Sequence, residues 1–236
     1  MRSERMNRRP RLPRECVFYS RPIKISGHTD KPMIDLYSAA TMNGRRAAIA
    51  LAECALAHRI HLLDLDKGEQ SRPDFLALNP SGAIPVLVDD DGLSGKPITV
   101  TQSGAIVLYC AERSGLCVPA DPARRSKAFE WFAQALTDVG PASSMLFQMS
   151  ITPEQSAANV EFFTQNFLRH CLNVDRRLEG RIFLADEFSI ADVALYPIIA
   201  IRTALIHATT GLSNLKSWQA HVAARPKTAR AMAANT

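Results

Sequence analysis

The stretches of this sequence that are typical of β-strands all lie between residues 33 and 100, and the sequence after them is helical in pattern. The run M-I-D-L-Y from Met33 alternates apolar and polar residues, as a half-buried strand does. Residues 45–57 are rich in Ala and Leu without a breaker, and they predict a helix that is buried on more than one side. Residues 60–65 predict a second strand, so the region opens with a β-α-β unit.

The segment that follows completes a small sheet. A short helix is predicted over 73–78, with proline in its first turn. Residues 86–88 and 97–100 predict an antiparallel hairpin, and a helix from Ser103 to about Arg113 ends at a glycine. The order β-α-β-α-β-β-α is that of the thioredoxin-like fold.

The second half of the chain predicts helices only. Residues 117–123 hold two prolines and no apolar period, which indicates a linker. Amphipathic periodicity then predicts helices at about 124–149, 154–179, 190–208 and 212–224. The predicted fold class is α/β plus all-α, with a thioredoxin-like domain over 33–116, the linker 117–123 and an all-helical domain over 124–236.

The positive charge of the chain is concentrated at its N terminus. Residues 1–32 carry nine Lys and Arg against three acidic residues, so this segment has a charge of +6 and the remainder has −1. A nearly neutral body gives no support for a nucleic-acid groove. We expect 1–32 to be a basic disordered extension or the product of an upstream start, with a targeting segment or an interaction arm as alternatives.

Cysteine and histidine spacing argues against disulfides and metals. Five cysteines form no C-x-x-C pair and are odd in number, so we expect a reducing, cytoplasmic location. Six histidines include no H-E-x-x-H pattern, and we predict no metal. No apolar run approaches 18 residues, so we predict no membrane span.

Four motifs in the same order and spacing resemble the glutathione transferase superfamily. They are T41-M-N-G44, N79-P-S-G-A-I-P85, Gln102-Ser103 and S189-I-A-D192. Within the superfamily the sequence is most similar to the bacterial nu-class enzymes and their fungal regulator relatives, from residue 33 to about 232. The resemblance implies glutathione as co-substrate and a homodimer. Ser189 and Asp192 match a helix capping box and are assigned a structural role.

The resemblance places the catalytic residues at the start of the first helix. Thr41 is then the hydroxyl that contacts the glutathione sulfur, and Asn43 is a supporting donor. Donors beside a helix N-terminus stabilise a thiolate and lower the pKa of the thiol. Tyr37 and Ser38 are alternative donors, because other classes use Tyr or Ser near this point. Asn43 followed by Gly44 is also a turn pattern.

The same resemblance assigns the glutathione-binding residues. Pro85 is the family's cis-proline, which turns the backbone of Ile84 outward to pair with an extended peptide. Gln102 and Ser103 open a helix whose free N–H groups favour the γ-glutamyl carboxylate. Gln70 either contacts the glycyl end or is a solvated loop residue.

Three positions depart from the nu-class pattern by losing a charge. Relatives often have Glu at the position of Gln102, Lys at that of Ala83 and Arg at that of Phe162.

We predict a glutathione transferase that either conjugates a small apolar electrophile or reduces a disulfide or peroxide. The alternatives are a non-catalytic binding module and an isomerase or dehalogenase on the same scaffold. Apolar residues of the helical half line the acceptor pocket or belong to the core: Met145, Phe147, Met149 and Phe162.

Overall fold

A computed structural model describes residues 33–154 and 156–235. The predicted extension over 1–32 lies outside the described residues. Four strands form one mixed sheet in the order β2-β1-β3-β4. Their bounds are Ile34–Ser38 for β1, His58–Leu62 for β2, Val86–Asp89 for β3 and Ile98–Thr101 for β4. Strand β1 runs parallel to β2 and antiparallel to β3, and β3 runs antiparallel to β4.

Helices cover both faces of this sheet. They are α1 (Met42–Glu53), α2 (Pro73–Leu78) and α3 (Ser103–Ser114). The alternation along β1 sends Leu36 into the main core with α1 and α3, and Tyr37 to the other face. There Tyr37 packs with Phe75 of α2. This arrangement confirms the thioredoxin-like domain followed by helices.

The remainder of the described chain is helical. The helices are α4 (Pro122–Gln134), α5 (Gly140–Ile151), α6 (Ala157–Arg177), α7 (Ile190–Ala200), α8 (Thr203–Ala208), α9 (Ser213–Ala223) and α10 (Pro226–Ala234). A π-helical turn over Ala135–Val139 joins α4 to α5. Helix α7 packs against α1, α3, α4 and α9, and one apolar core continues from the sheet through these helices.

The capping box at the start of α7 is confirmed. The Ser189 N–H donates to Asp192 Oδ2 at 3.0 Å, and Ser189 Oγ accepts from the Ala191 N–H at 3.3 Å. Asp192 Oδ1 also accepts from Trp218 Nε1 at 2.8 Å and from the Leu184 N–H at 3.2 Å. The carboxyl therefore anchors α9 and the preceding loop as well as its own helix. Its burial raises the pKa of Asp192 to about 6.

A second polar cluster ties α10 to α1. The buried Glu53 carboxylate accepts two hydrogen bonds from Arg225, one from Nε at 3.0 Å and one from a terminal nitrogen at 2.7 Å. It accepts a third from Thr228 Oγ1 at 2.7 Å. Arg225 also lies over the Phe188 ring, 3.6 Å from its centroid. Burial by itself raises the pKa of Glu53, but hydrogen bonds from Arg225 and Thr228 outweigh it and the net pKa is lowered.

Some predicted boundaries were wrong. The first helix begins at Met42 rather than residue 45, because Thr41 caps it and Asn43-Gly44 belongs to its first turn. Strand β2 begins at His58, two residues earlier than predicted. The single helix predicted over 124–149 is divided by the π-helical turn, and α10 was not predicted.

Candidate functional site

Strand pairing brings three of the predicted site segments to one edge of the sheet. Tyr37 of β1 pairs with Val86 of β3, and Val86 pairs with Thr101 of β4. Because β3 runs antiparallel to both neighbours, the end of β1, the start of β3 and the end of β4 coincide. The residues that follow β1, precede β3 and follow β4 are therefore neighbours, although Asn43 and Ser103 are 60 residues apart in sequence.

A cavity of about 470 Å³ opens at this edge, between the first turns of α1 and α3 and the α4–α5 segment. We call it the donor cleft. Its lining residues are Met42, Asn43, Arg46, Gln102, Ser103, Gly104, Ala105, Leu108, Phe132, Leu136, Gly140, Pro141 and Ser144. Among these residues there is one cation and no carboxylate. The cleft therefore suits a ligand that carries negative charge.

Thr41 is the N-cap residue of α1, and within the described residues its hydroxyl donates no hydrogen bond. Its Oγ1 accepts the Gly44 N–H at 3.1 Å, which is the N-cap bond of the helix. A hydroxyl can donate one bond while it accepts others, so Thr41 can still donate to a ligand. Gly44 is required by close packing, because a Cβ at this position would overlap Ala39 O and Ser38 Oγ.

Three side chains, two of them buried and that of Asn43 partly buried, form a hydrogen-bond network on the floor of the cleft. One terminal nitrogen of Arg46 donates to Asn43 Oδ1 and to Ser103 Oγ, both at 2.7 Å. Ser103 Oγ also donates to Asn43 Oδ1 at 3.2 Å. Arg46 Nε donates to the Ala194 carbonyl of α7 at 3.0 Å. The predicted sites in α1 and α3 are thus joined to each other and to the helical half.

Helix α3 begins without a side-chain cap. Gln102 occupies the N-cap position with φ 70° and ψ 119°, and its exposed side chain makes no capping bond. The first N–H groups of α3 therefore face the cleft with no acidic side chain in the first turn. A positive φ outside glycine is costly and is typical of functional sites. The helix start is arranged to accept an anion.

The predicted cis peptide bond between Ile84 and Pro85 is present. The backbone N–H and C=O of Ile84 make no hydrogen bond to any other described residue. The loop before it is held by Asn79, whose Nδ2 donates to the Ala83 carbonyl at 2.6 Å. Gln70 Nε2 donates to the Leu65 carbonyl at 3.4 Å, and within the described ranges its buried Oε1 has no partner. Pro85, Ile84 and Gln70 do not line the donor cleft.

The alternative donors lie elsewhere. Tyr37 is only 2% exposed and stacks on His61 at the α2 face of the sheet. Burial raises the pKa of its phenol. Ser38 is fully buried beneath Gly44. Neither residue lines the cleft, whereas Asn43 does and Thr41 immediately precedes its wall.

Several cleft residues were missed from the sequence. Met42, Phe132, Leu136 and Pro141 form its apolar wall, while Met145, Phe147, Met149 and Phe162 do not line it. The prediction that these four line the pocket or belong to the core is wrong for Met145, Phe147 and Phe162, which are 36%, 54% and 67% exposed. The helix of Phe162 presents another face to the core. Arg46 was also missed: two arginines, Arg45 and Arg46, open the predicted helix, and the sequence does not show which of them is buried.

Other classes of site receive no support from the described residues. Within 33–154 and 156–235, no cluster of three or more His, Cys, Asp or Glu side chains is arranged to hold a metal ion. None of the described helices is both long and apolar enough to span a membrane. Cys54, Cys110 and Cys171 are buried, Cys117 is partly exposed, and all four are free thiols.

Sequence comparison identifies relatives over most of the chain. A family model described as the N-terminal domain of glutathione S-transferase matches residues 43–113. The disulfide-bond oxidoreductase YfcG of Escherichia coli is 33% identical over 208 residues, which cover 85% of this chain and 94% of that protein. The disulfide-bond oxidoreductase YghU of the same organism is 30% identical and covers 71% of this chain and 60% of its own length.

Solved structures with the same fold contain glutathione. A glutathione transferase from Burkholderia graminis, with two glutathione molecules bound per subunit, has a TM-score of 0.78 and 30% identity over 85% of this chain and 87% of its own. A glutathione transferase from Pseudomonas putida, with one glutathione disulfide bound per subunit, has a TM-score of 0.78 and 28% identity over 85% and 90% of the two chains.

Proposed function

Because the chain belongs to the cytosolic glutathione transferase superfamily, of the type that includes the bacterial disulfide-bond oxidoreductases, we propose that its glutathione-dependent catalysis takes place in the donor cleft. The observation that carries the proposal is the charge of the cleft. Arg46 and two helix N-termini face it, and no carboxylate lines it. Glutathione brings two carboxylates and, when ionised, a thiolate.

The binding roles follow the available donors and acceptors. The γ-glutamyl carboxylate binds the free N–H groups at the start of α3, including that of Ser103. The Gln102 side chain orients the α-amino group. The cysteinyl backbone pairs with the free N–H and C=O of Ile84 beside Pro85. By the family resemblance the Gln70 side chain contacts the glycyl end, outside the residues that line the donor cleft.

The thiolate forms beside Thr41 and Asn43. The Thr41 hydroxyl donates to the sulfur, and the α1 N-terminus favours its negative charge. In disulfide reduction, the thiolate attacks one sulfur of the substrate and releases the other half as a thiolate. A second glutathione thiolate then attacks the mixed disulfide, releasing the reduced product and leaving glutathione disulfide. No protein cysteine takes part in these two steps.

Two observations favour disulfide reduction over conjugation. The relatives YfcG and YghU are disulfide-bond oxidoreductases, and the Pseudomonas putida structure holds glutathione disulfide. Conjugation is the second candidate, because Met42, Phe132 and Leu136 offer an apolar wall to an electrophile. The exposed Ala83 and Phe162 carry no charge where relatives often have a cation, which supports the alternative of a non-catalytic module.

Calorimetric titration of the full chain with reduced and then oxidised glutathione tests the proposal. We expect binding of at least one form at micromolar to low-millimolar affinity. Turnover is then compared for a small disulfide and for an aromatic electrophile with a leaving group. Faster reduction of the disulfide supports the oxidoreductase, and faster conjugation supports the transferase. No heat with either form of glutathione would exclude both and leave the non-catalytic module.

Three further properties belong to this proposal. A homodimer is supported by the family resemblance, and analytical ultracentrifugation tests it. A cytoplasmic location is supported by the four free thiols of the described chain. The domain boundaries 33–116, 117–123 and 124–236 stay a prediction, and α4 begins at Pro122, two residues inside the proposed linker.

A further inference from the structure

Arg46 is a buried cation with only neutral partners. Its side chain is 2% exposed, and its three acceptors are an amide oxygen, a hydroxyl and a backbone carbonyl. No carboxylate in the described part of the chain forms an ion pair with it. Burial lowers the pKa of Arg46 to about 10, so the guanidinium is charged at neutral pH. An uncompensated buried charge is costly and requires an explanation.

The network fixes which end of the Asn43 amide faces the ligand. Asn43 Oδ1 accepts from both Arg46 and Ser103. Arginine has donors only, so the oxygen of the amide must point toward it and the NH2 group must point away. Across 33–154 and 156–235, no hydrogen bond uses that NH2 group. Asn43 therefore presents two donors and no acceptor on the side away from Arg46.

The same network fixes the Ser103 hydroxyl. Its oxygen accepts from Arg46, and its proton goes to Asn43. The hydroxyl is therefore occupied, and the main-chain N–H is the group that Ser103 offers to a carboxylate.

We propose that Arg46 is a positioning residue of the glutathione site: it turns the Asn43 amide donors toward the sulfur and supplies a fixed positive charge that favours the thiolate. The inference rests on the proposed function, because it assumes that glutathione occupies the donor cleft. Arg46 has no carboxylate among its partners in the described chain, and the bound glutathione then supplies the negative charge that balances it.

The test is the pKa of the bound glutathione thiol, followed by the ultraviolet absorbance of the thiolate as the pH of the complex is varied. We expect Arg46→Met to raise this pKa by about 1 unit, within the range produced by removing a nearby opposite charge. The value of kcat/KM below that pKa should fall about tenfold. Arg46→Lys keeps the charge and should keep most of the shift. Arg46→Gln keeps a donor without the charge and should resemble Arg46→Met in thiol pKa.

Asn43→Asp separates orientation from charge. The aspartate still accepts from Arg46 but has no N–H donor and neutralises the cation, so the thiol pKa should rise at least as much as in Arg46→Met. Arg202→Met is the matched control, because Arg202 is a partly buried arginine that donates to the hydroxyl and the carbonyl of Ser143. We expect it to change thermal stability and leave the thiol pKa as in the native protein.

The outcomes distinguish this inference from the proposed function. If the native chain binds no glutathione in calorimetry, the proposed function fails. If it binds, but Arg46→Met and Arg46→Gln leave both the thiol pKa and the pH profile of kcat/KM unchanged, the role of Arg46 alone is refuted. Circular dichroism checks folding first. If Arg46→Met does not fold, the comparison of Arg46→Gln with Arg46→Lys decides.

Discussion

Thr41 has two separable tasks, and substitutions can remove one without the other. Its oxygen caps α1 by accepting from the Gly44 N–H at 3.1 Å. Its hydroxyl proton has no acceptor among the described residues, and we expect it to donate to the glutathione sulfur. Thr41→Ala removes both functions. Thr41→Asp keeps an oxygen for the cap, removes the donor and adds a negative charge beside the thiolate. Thr41→Ser keeps both functions and serves as the control.

The two tasks predict effects of different size in different measurements. Loss of an N-cap costs about 1 kcal/mol. In a chain of this length that lowers the melting temperature by about 2–4 °C. A hydrogen bond to a charged group contributes about 1.5–3 kcal/mol, so losing it from the thiolate should lower turnover by about tenfold to a hundredfold. Thr41→Ala should show both effects.

Thr41→Asp is the informative variant. A carboxylate is a good N-cap and interacts favourably with the helix dipole, so the melting temperature should be at least that of the native protein. Turnover should fall below that of Thr41→Ala, because the new charge repels the thiolate. The assays are thermal unfolding by circular dichroism and steady-state glutathione-dependent turnover. If Thr41→Asp turned over as fast as Thr41→Ser, Thr41 would not be the group that contacts the sulfur.

Two further predictions concern stability. Glu53→Gln should lower the free energy of unfolding by about 2 kcal/mol in urea titrations, because it breaks the ion pair between the buried Glu53 and the partly exposed Arg225. The control is Asp64→Asn, which breaks an exposed pair with Lys67 and should leave the free energy of unfolding unchanged. Equal effects of the two substitutions would refute the argument. Burial raises the pKa of Asp192 from 3.8 to about 6. The contribution of this carboxyl to the stability of the folded state is therefore fully present below about pH 4, and it is lost as the pH rises to about 6. The stability difference between the native protein and Asp192→Asn should therefore shrink by on the order of 3 kcal/mol over that interval and stay constant above it, and a difference that is flat from pH 4 to 7 would contradict the burial argument.

The sheet and most helices could be predicted because their periodicities differ. Strand β1 alternates between two buried faces, whereas α1 has small apolar residues on all sides. The predicted start of α1 was wrong because the dipeptide Asn-Gly usually marks a turn. Here Gly44 serves close packing and Asn43 serves the Arg46 network, so both residues are helical. Local sequence cannot distinguish these uses of the same dipeptide.

Helix α10 was missed for a related reason. Its nine-residue sequence has four alanines among scattered polar residues, which gives little periodic evidence. Its position depends on contact with α1 and on the hydrogen bond from Thr228 to Glu53, across 175 residues of sequence. Such long-range partners are set by the folded structure and leave no pattern within the segment itself.

The capping box and the donor cleft are connected through α7. Ser189 and Asp192 fix the first turn of this helix, and Asp192 also holds Trp218 of α9. Ala194, in the next turn of α7, places its carbonyl where Arg46 Nε donates to it. Arg46 in turn holds Asn43 and the start of α3. A motif with a purely structural role therefore limits where the site's donors can lie, and the helical half positions the cleft floor as well as one of its walls. The same dependence explains why Arg46 was not predicted: its partner in α7 is 148 residues away in sequence.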